Sequence, residues 1–266
     1  MTRAQGTAMK LCQYLSSLLL VFICLPLMAS QNTGSAKTLN GKTYSLLFFI
    51  SDKTSAWSRV EKQQMLQQII DAETWLTEQA LHYNQALKFE HGFFGWDTDI
   101  KMETMPEGTA SGKEDVELVE AITTQIGYNS PKELLEKIPA DNIQLLFIFK
   151  KDGISYAIPY SDEVDEKYYL ESMALYHRFD AETPQCTACI AHEFLHLFGA
   201  WDLYTTHQTT KKQEEKAREQ YPNSIMLRTS YAIEELMIDP VTAWRIGWTK
   251  EPPLGGDFFR PQPRTP

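Results

Sequence analysis

Residues 186–204 read Cys-Thr-Ala-Cys-Ile-Ala-His-Glu-Phe-Leu-His-Leu-Phe-Gly-Ala-Trp-Asp-Leu-Tyr, and their spacing calls for a chemical explanation. His192 and His196 are four residues apart, so on a helix both imidazoles project from one face, about a turn apart. That arrangement suits two ligands of a zinc ion, which binds imidazole nitrogen at roughly 2.0–2.1 Å. Glu193 stands beside the first histidine, where it can reach a water at the metal without binding the metal itself. The segment therefore predicts a helix that carries a zinc site.

The residues after this helix offer a third ligand. Gly199 is the residue type best able to take the left-handed conformation that ends a helix and reverses the chain. The reversal can bring Asp202 back toward the two imidazoles, and His207 is the substitute if Asp202 does not bind. Three protein ligands leave one position open, as catalytic zinc requires. The alternative is a buried helix with two hydrogen-bonded histidines, which leaves Glu193 unexplained on an apolar segment.

The first 30 residues have the layout of a secretory signal peptide. An apolar stretch runs from Leu15 to Met28, and the small residues Ala29 and Ser30 follow it. The stretch is short for a membrane span, and an uncleaved anchor is the alternative. We therefore expect a secreted or periplasmic protein, with no stable membrane insertion after cleavage. The expected organisation is a signal peptide (1–30), a polar leader (31–42), a catalytic-type domain (43–251) and a Pro/Gly-rich tail (252–266).

Composition excludes one class of partner and bears on the cysteines. The formal net charge is −10, and removal of residues 1–30, which hold two basic and no acidic residues, makes it −12. A chain this acidic is a poor candidate for binding nucleic acid through phosphate neutralisation. Only Cys186 and Cys189 remain after that removal, and in an oxidising compartment they predict a local disulfide that braces the zinc helix. A redox motif and a second metal half-site are the alternatives.

Hydrophobic periodicity predicts an α/β or α+β lobe with the sheet on one side. The predicted strands are 44–50, 88–96, 143–149, 154–160 and 168–179. The predicted helices are a long amphipathic one at 58–87, then 114–126, 131–138, a charged one at 208–220, and 240–246. Pro159 favours an edge position for the strand 154–160, because proline donates no ladder N–H. Residues 98–113 are predicted as a loop, and the tail from Pro252 as loosely ordered.

The segment from His192 to Asp202 resembles the metzincin signature H-E-x-x-H-x-x-G-x-x-H/D in its aspartate version. The similarity is to the snapalysin and immune inhibitor A groups of zinc metallopeptidases. Ser224-Ile-Met226 resembles the Met-turn that lies beneath the metal in metzincins, and residues 240–248 resemble a Trp-and-Gly-Trp segment of the immune inhibitor group. The resemblance implies a metzincin-like α+β fold, with a twisted mixed sheet, a long helix, an active-site helix and a small C-terminal lobe after the Met-turn.

The same resemblance implies zinc as cofactor and a peptide or protein as substrate. His192, His196 and Asp202 are then the metal ligands and Glu193 is the general base. Tyr231, five residues past Met226, is the predicted transition-state donor; some metzincins place a tyrosine two past this methionine, where the chain has Arg228. The implied function is endopeptidase. Two alternatives stay open: a non-catalytic zinc-stabilised binding protein of the same fold, and a hydrolase of cell-wall peptide amides. The oligomeric state and the side chains that are accepted are not predicted.

Overall fold

The structure is a computed structural model that describes residues 34–103, 105, 113–158, 170–230 and 232–261. The predicted signal peptide, residues 1–30, lies outside the described residues. The strands are β1 (Gly41–Ser51), β2 (Leu87–Phe94), β3 (Ile100–Lys101), β4 (Asn142–Asp152), β5 (Tyr156–Ile158) and β6 (Ser172–Arg178). The helices are α1 (Arg59–Leu81), α2 (Lys113–Gln125), α3 (Pro131–Lys137), α4 (Thr187–Leu197), α5 (Lys211–Gln220) and α6 (Pro240–Arg245). Short 3-10 helices cover Ile233–Glu235 and Gly256–Phe259.

The strands form one mixed sheet in the order β2-β1-β4-β6-β5, with β3 paired to the end of β1. β1 runs parallel to β2, β3 and β4, and β4 runs parallel to β6. Only β5 pairs antiparallel, with β6. β1 and β4 are central and buried on both faces, which is why both read as continuous apolar runs rather than alternating ones.

Helices cover both faces of the sheet, which corrects the expectation of a sheet on one side. Alternate side chains of β1 point to opposite faces. Leu47 and Phe49 pack in the core that includes residues of α1 and α4, whereas Leu46 and Phe48 pack in the core that includes residues of α2 and α3. The periodicity of α2 and α3 showed that they are helical, but could not show on which face they pack.

Helix α1 begins where the sequence predicts and ends earlier. Ser58 is its N-cap and forms a capping box with Glu61. The helix stops at Leu81, and the turn after it includes Asn84 at a φ of 56° before β2 begins at Leu87. The predicted continuation to Leu87 is wrong because the chain must reverse there to lay β2 parallel to β1.

Both ends of the described chain pack against the domain. Leu39 is fully buried, its N–H donates to the carbonyl of Ile246 (2.9 Å), and the indole N–H of Trp248 donates to the carbonyl of Leu39 (2.6 Å). In the tail, Phe259 is buried and the side chain of Gln213 donates to the carbonyls of Phe258 and Arg260. The described parts of the polar leader and of the tail therefore make packing and hydrogen-bond contacts with the domain.

The remaining elements lie close to their predicted positions. Ser130 caps α3 and Asp239 caps α6, with a proline at the start of each helix, as the sequence predicts. β5 is the last strand in the sheet order, which agrees with the predicted edge position; residues 159 and 160 lie outside the described part. Among the described residues, no helix is both long and apolar enough to cross a membrane.

Candidate metal centre

Helix α4 presents the two histidines from a mostly buried scaffold. Ile190, Phe194 and Leu195 are fully buried and anchor the helix in the core, so the face with His192 and His196 is held fixed. Cys186 is the N-cap of the helix, and its sulfur accepts the backbone N–H of Cys189 at 3.0 Å. The predicted disulfide between these two cysteines is present, with 5.1 Å between their Cα atoms. It closes the first turn of the helix that carries the site.

Three side chains converge beyond this helix. His192 Nε2 lies 3.1 Å from His196 Nε2, and Asp202 Oδ1 lies 3.2 Å from the first nitrogen and 3.1 Å from the second. Among the described residues, these three form the group able to hold a metal ion. Ligand atoms about 2.1 Å from a tetrahedral metal are separated by about 3.4 Å, so the observed triangle is close to the size that such an ion requires.

The backbone sets the tautomer of each histidine. His192 Nδ1 lies 3.0 Å from the carbonyl oxygen of Ile225, and His196 Nδ1 lies 3.0 Å from that of Ala200. A carbonyl only accepts, so each Nδ1 must carry the proton, which leaves the Nε2 lone pair of each neutral ring directed at the site. Outer hydrogen bonds of this kind are usual for metal-binding histidines.

The chemistry of the three atoms fits a bound cation. Asp202 Oδ1 is buried and, among the described residues, has no hydrogen-bond donor of acceptable geometry. When both histidines are neutral, as metal ligands are, two nitrogen lone pairs and a carboxylate oxygen face one another, and a bound cation takes the place of the proton that His196 otherwise carries. Burying three acceptors together is costly unless a positive charge binds them. Imidazole and carboxylate ligands suit a divalent transition metal such as zinc.

The ionisation of the triad shows how strongly its members interact. Burial opposes ionisation of Asp202, but the two imidazoles outweigh it and hold the pKa of that carboxyl well below its usual range. Burial likewise opposes protonation of His196, yet Asp202 raises the pKa of this imidazole to about 9. A metal ion must therefore displace a proton to bind, as is general for sites with histidine ligands.

Two chain segments position Asp202 and His192, namely the turn at Gly199 and the segment around Met226. Gly199 takes a φ of 89°, the left-handed conformation predicted for the end of α4, and the chain reverses there. Met226 is fully buried and its carbonyl accepts the N–H of Leu203 at 2.8 Å. Since the neighbouring Ile225 carbonyl binds His192, the turn that resembles a Met-turn contacts both the helix and the Asp202 loop.

A cleft of about 280 Å³ opens beside the triad. The residues that line it include His192, Glu193, Tyr204, Ile154, Phe179, Leu227 and Arg228. Glu193 is half-buried, and its carboxylate interacts with the backbone N–H of Ala157 in β5. Burial raises the pKa of Glu193, against the opposing effect of the neighbouring histidines. Such a carboxyl is suited to exchanging protons nearer neutral pH than an exposed one.

The other residues that the sequence predicts for the site are Tyr231 and His207. Tyr231 lies outside the described residues, so its predicted role as a donor stays a prediction. His207 is exposed and is not a member of the triad. Sequence reasoning missed Tyr204, whose ring stacks on that of His192 with centroids 6.1 Å apart. Its position two residues past Asp202 was the available signal. Burial, with the carboxylates of Asp202 and Glu193, raises the pKa of Tyr204, so its hydroxyl stays protonated.

Comparison with known proteins adds two distant structural similarities. No protein-family model and no curated protein matches the chain. A solved chaperone–substrate complex aligns with 61% of this chain and 24% of its own, at 16% identity and a TM-score of 0.34. Metalloproteinase-II from Bacteroides fragilis aligns over 83% of this chain and 57% of its own, at 10% identity and a TM-score of 0.39. The chain thus spans less than two thirds of either protein, and TM-scores this low do not establish a shared fold.

Proposed function

We propose that this chain is a zinc-dependent endopeptidase that acts outside the cytoplasm. The observation that carries the proposal is the triad of His192, His196 and Asp202, with its two nitrogens and one oxygen 3.1–3.2 Å apart. Three protein ligands beside an open cleft leave a coordination position for substrate or water, which distinguishes a catalytic site from a closed structural one. Glu193 on the same helix lines that cleft.

Residues of the chain itself then carry out separate parts of the reaction. A bound zinc ion supplies Lewis acidity, which makes water acidic near neutral pH and polarises a substrate carbonyl. Glu193 accepts the proton of the attacking water and returns it to the nitrogen of the broken peptide bond. Tyr204, whose protonated hydroxyl is hydrogen-bonded to Asp202, redirects this hydrogen bond to the oxyanion that develops on the substrate. In this proposal Tyr204 takes the part that the sequence assigns to Tyr231.

The edge of the sheet offers a place for an extended substrate. β5 is the last strand in the sheet order, and the N–H of Ala157 in this strand interacts with Glu193. A peptide that pairs with β5 would lie beside the proton acceptor, since strand addition at a sheet edge is a common mode of peptide recognition.

The test combines metal analysis with proteolysis. Purified protein is expected to contain close to one zinc ion per chain and to cleave casein or members of a peptide library. Glu193→Ala should keep the metal and lose cleavage by a factor of about 10² or more. The control is Glu215→Ala, which removes an exposed carboxylate from α5. Protein without zinc, or equal cleavage by wild type and Glu193→Ala, would exclude the proposal.

The same assays separate the two alternative functions. A non-catalytic binding protein would hold zinc and hydrolyse no peptide. A hydrolase of cell-wall peptide amides would digest peptidoglycan and spare casein. Export is part of the proposal because of the predicted signal peptide, and N-terminal sequencing of protein from the periplasm or medium tests it.

A further inference from the structure

Arg228 has an unusual position for a surface arginine. It is exposed and lines the cleft that also contains His192 and Glu193. Among the described residues that line this cleft, it is the only lysine or arginine. The two acidic residues of the site, Glu193 and Asp202, lie on α4 and on the loop after it. Arg228 therefore places a basic residue at the edge of the site from a different part of the chain.

The backbone that carries Arg228 is held firmly. Its N–H donates to the carbonyl of Ser224 at 3.2 Å, and Ser224 is fully buried, with its hydroxyl donating to Asp239 at 2.7 Å. The guanidinium donates to the side-chain carbonyl of Asn223 at 3.1 Å. A guanidinium has five N–H donors, and this partner is neutral. The group is thus oriented by the turn and keeps donors for a ligand.

The surroundings favour a carboxylate as that ligand. Ile154 is 59% exposed and Phe179 50%, and both line the cleft, so they add apolar surface to it. A peptide bound across this surface would shield an ion pair with Arg228 from part of the solvent, and such a pair is stronger than one in open water.

We propose that Arg228 binds a carboxylate of the substrate, so that the enzyme prefers peptides with an acidic side chain or a free C-terminus close to the scissile bond. This inference deepens the proposed function and rests on it. Arg228 acts here as a specificity residue, and the bond that is broken does not depend on it.

The test measures binding and cleavage separately. Zinc-loaded Glu193→Gln is titrated with fluorescent peptides that differ only by Glu against Gln at each position near the cleavage site. A second pair differs by a free against an amidated C-terminus, which tells the two sources of the carboxylate apart. Arg228→Ala in this background should weaken the binding of one of the acidic peptides about five- to tenfold and leave the binding of its neutral partner unchanged. Arg228→Glu should invert the preference toward a lysine peptide.

Two controls separate recognition from bracing of the turn. Lys211→Glu makes the same charge change on α5, outside the residues that line the cleft, and should leave the preference intact. Asn223→Ala removes the partner of the guanidinium and should not abolish discrimination between Glu and Gln peptides. Equal loss for acidic and neutral peptides in Arg228→Ala, or no preference in the parent protein, would overturn the inference. If the wild-type chain binds the acidic peptide preferentially but does not hydrolyse it, carboxylate binding by Arg228 stands while the peptidase proposal fails.

Discussion

Asp202 differs from the two histidines in how it reaches the site. His192 and His196 are fixed by one helix, whereas Asp202 lies on the loop after Gly199, and this loop is hydrogen-bonded to Met226. Its buried Oδ1 lies 3.1–3.2 Å from the Nε2 atoms of both histidines, so we infer that its contribution is to complete the ligand set of a metal rather than to support the fold.

Substitution of Asp202 tests that role. Asp202→Ala is expected to lower zinc affinity strongly, because two histidines alone leave the metal with an incomplete ligand set. Asp202→His should retain zinc, since imidazole can fill the same position. Zinc content after dialysis against a weak chelator measures both, with the exposed Asp97→Ala as control. Full zinc retention by Asp202→Ala would contradict ligation by this residue.

Tyr204 provides a second test at the level of a single side chain. The ring stacks on His192, so Tyr204→Phe preserves the packing and removes only the hydroxyl. The expected result is a fall in kcat of about 10²-fold with zinc content and KM little changed, because the donor acts mainly in the transition state. Steady-state kinetics on one cleaved peptide measure this. An unchanged kcat would return the donor role to Tyr231 or to another group.

At the level of elements, the disulfide stabilises the start of α4. Cys186 and Cys189 close a very short loop, for which chain entropy predicts only about 2 kcal/mol. Replacing both with serine keeps a good N-cap at position 186 and removes only the covalent link. The free energy of unfolding of this variant, measured in denaturant, should be lower than that of wild type by about 2 kcal/mol, and zinc binding should be unchanged. The double alanine variant loses the cap as well and should be less stable by about a further 1 kcal/mol. Identical stability of wild type and the serine variant would show that the link is not a brace.

A second pair of elements, α1 and β4, is tied by the ion pair between Glu61 and Lys150. Burial alone would raise the pKa of Glu61, but Lys150 and Ser58 outweigh it and lower this pKa from 4.5 to about 2. A depressed carboxyl pKa stabilises the folded state above the unfolded value, and that stability is lost as the pH falls from about 4.5 toward 2.

Glu61→Gln is therefore expected to cost about 1–2 kcal/mol at pH 7, with the difference from wild type shrinking as the pH approaches 2. Denaturant unfolding at several pH values measures this difference. Glu78→Gln, at an exposed position on the same helix, is the matched control and should change the free energy of unfolding by less than about 0.5 kcal/mol. A difference that does not depend on pH would show that the effect does not arise from the ionised carboxylate of Glu61.

At the scale of the whole molecule, the segment just before β1 is hydrogen-bonded to the region around α6. Leu39 contributes a fully buried side chain and two backbone hydrogen bonds to the region of Ile246 and Trp248. Leu39→Ala should destabilise the protein by about 2–5 kcal/mol through the cavity that it leaves. Leu254→Ala removes the same atoms from a fully exposed position and should change stability by less than about 0.5 kcal/mol. Equal unfolding curves would show that the leader is not part of the core.

Much of the fold follows from local patterns. The apolar runs of β1 and β4, the cap at Ser58 and the proline starts of α3 and α6 are local signals, and their elements lie close to where the sequence predicts them. The face on which α2 and α3 pack and the end of α1 are not local properties. They depend on which strands pair, and the parallel pairing of β1 with β2 is decided by contacts far apart in the chain.

The candidate site divides in the same way. By itself, the sequence determined the helix with His192, Glu193 and His196 and the turn at Gly199, because spacing along a helix and the conformational freedom of glycine act over a few residues. Only the tertiary structure decided that the Ile225 carbonyl orients His192 and that Arg228 and Tyr204 share the cleft with Glu193. The reason is physical: a hydrogen bond between residues 33 positions apart forms only after packing has brought two segments together, and no local pattern encodes that distance.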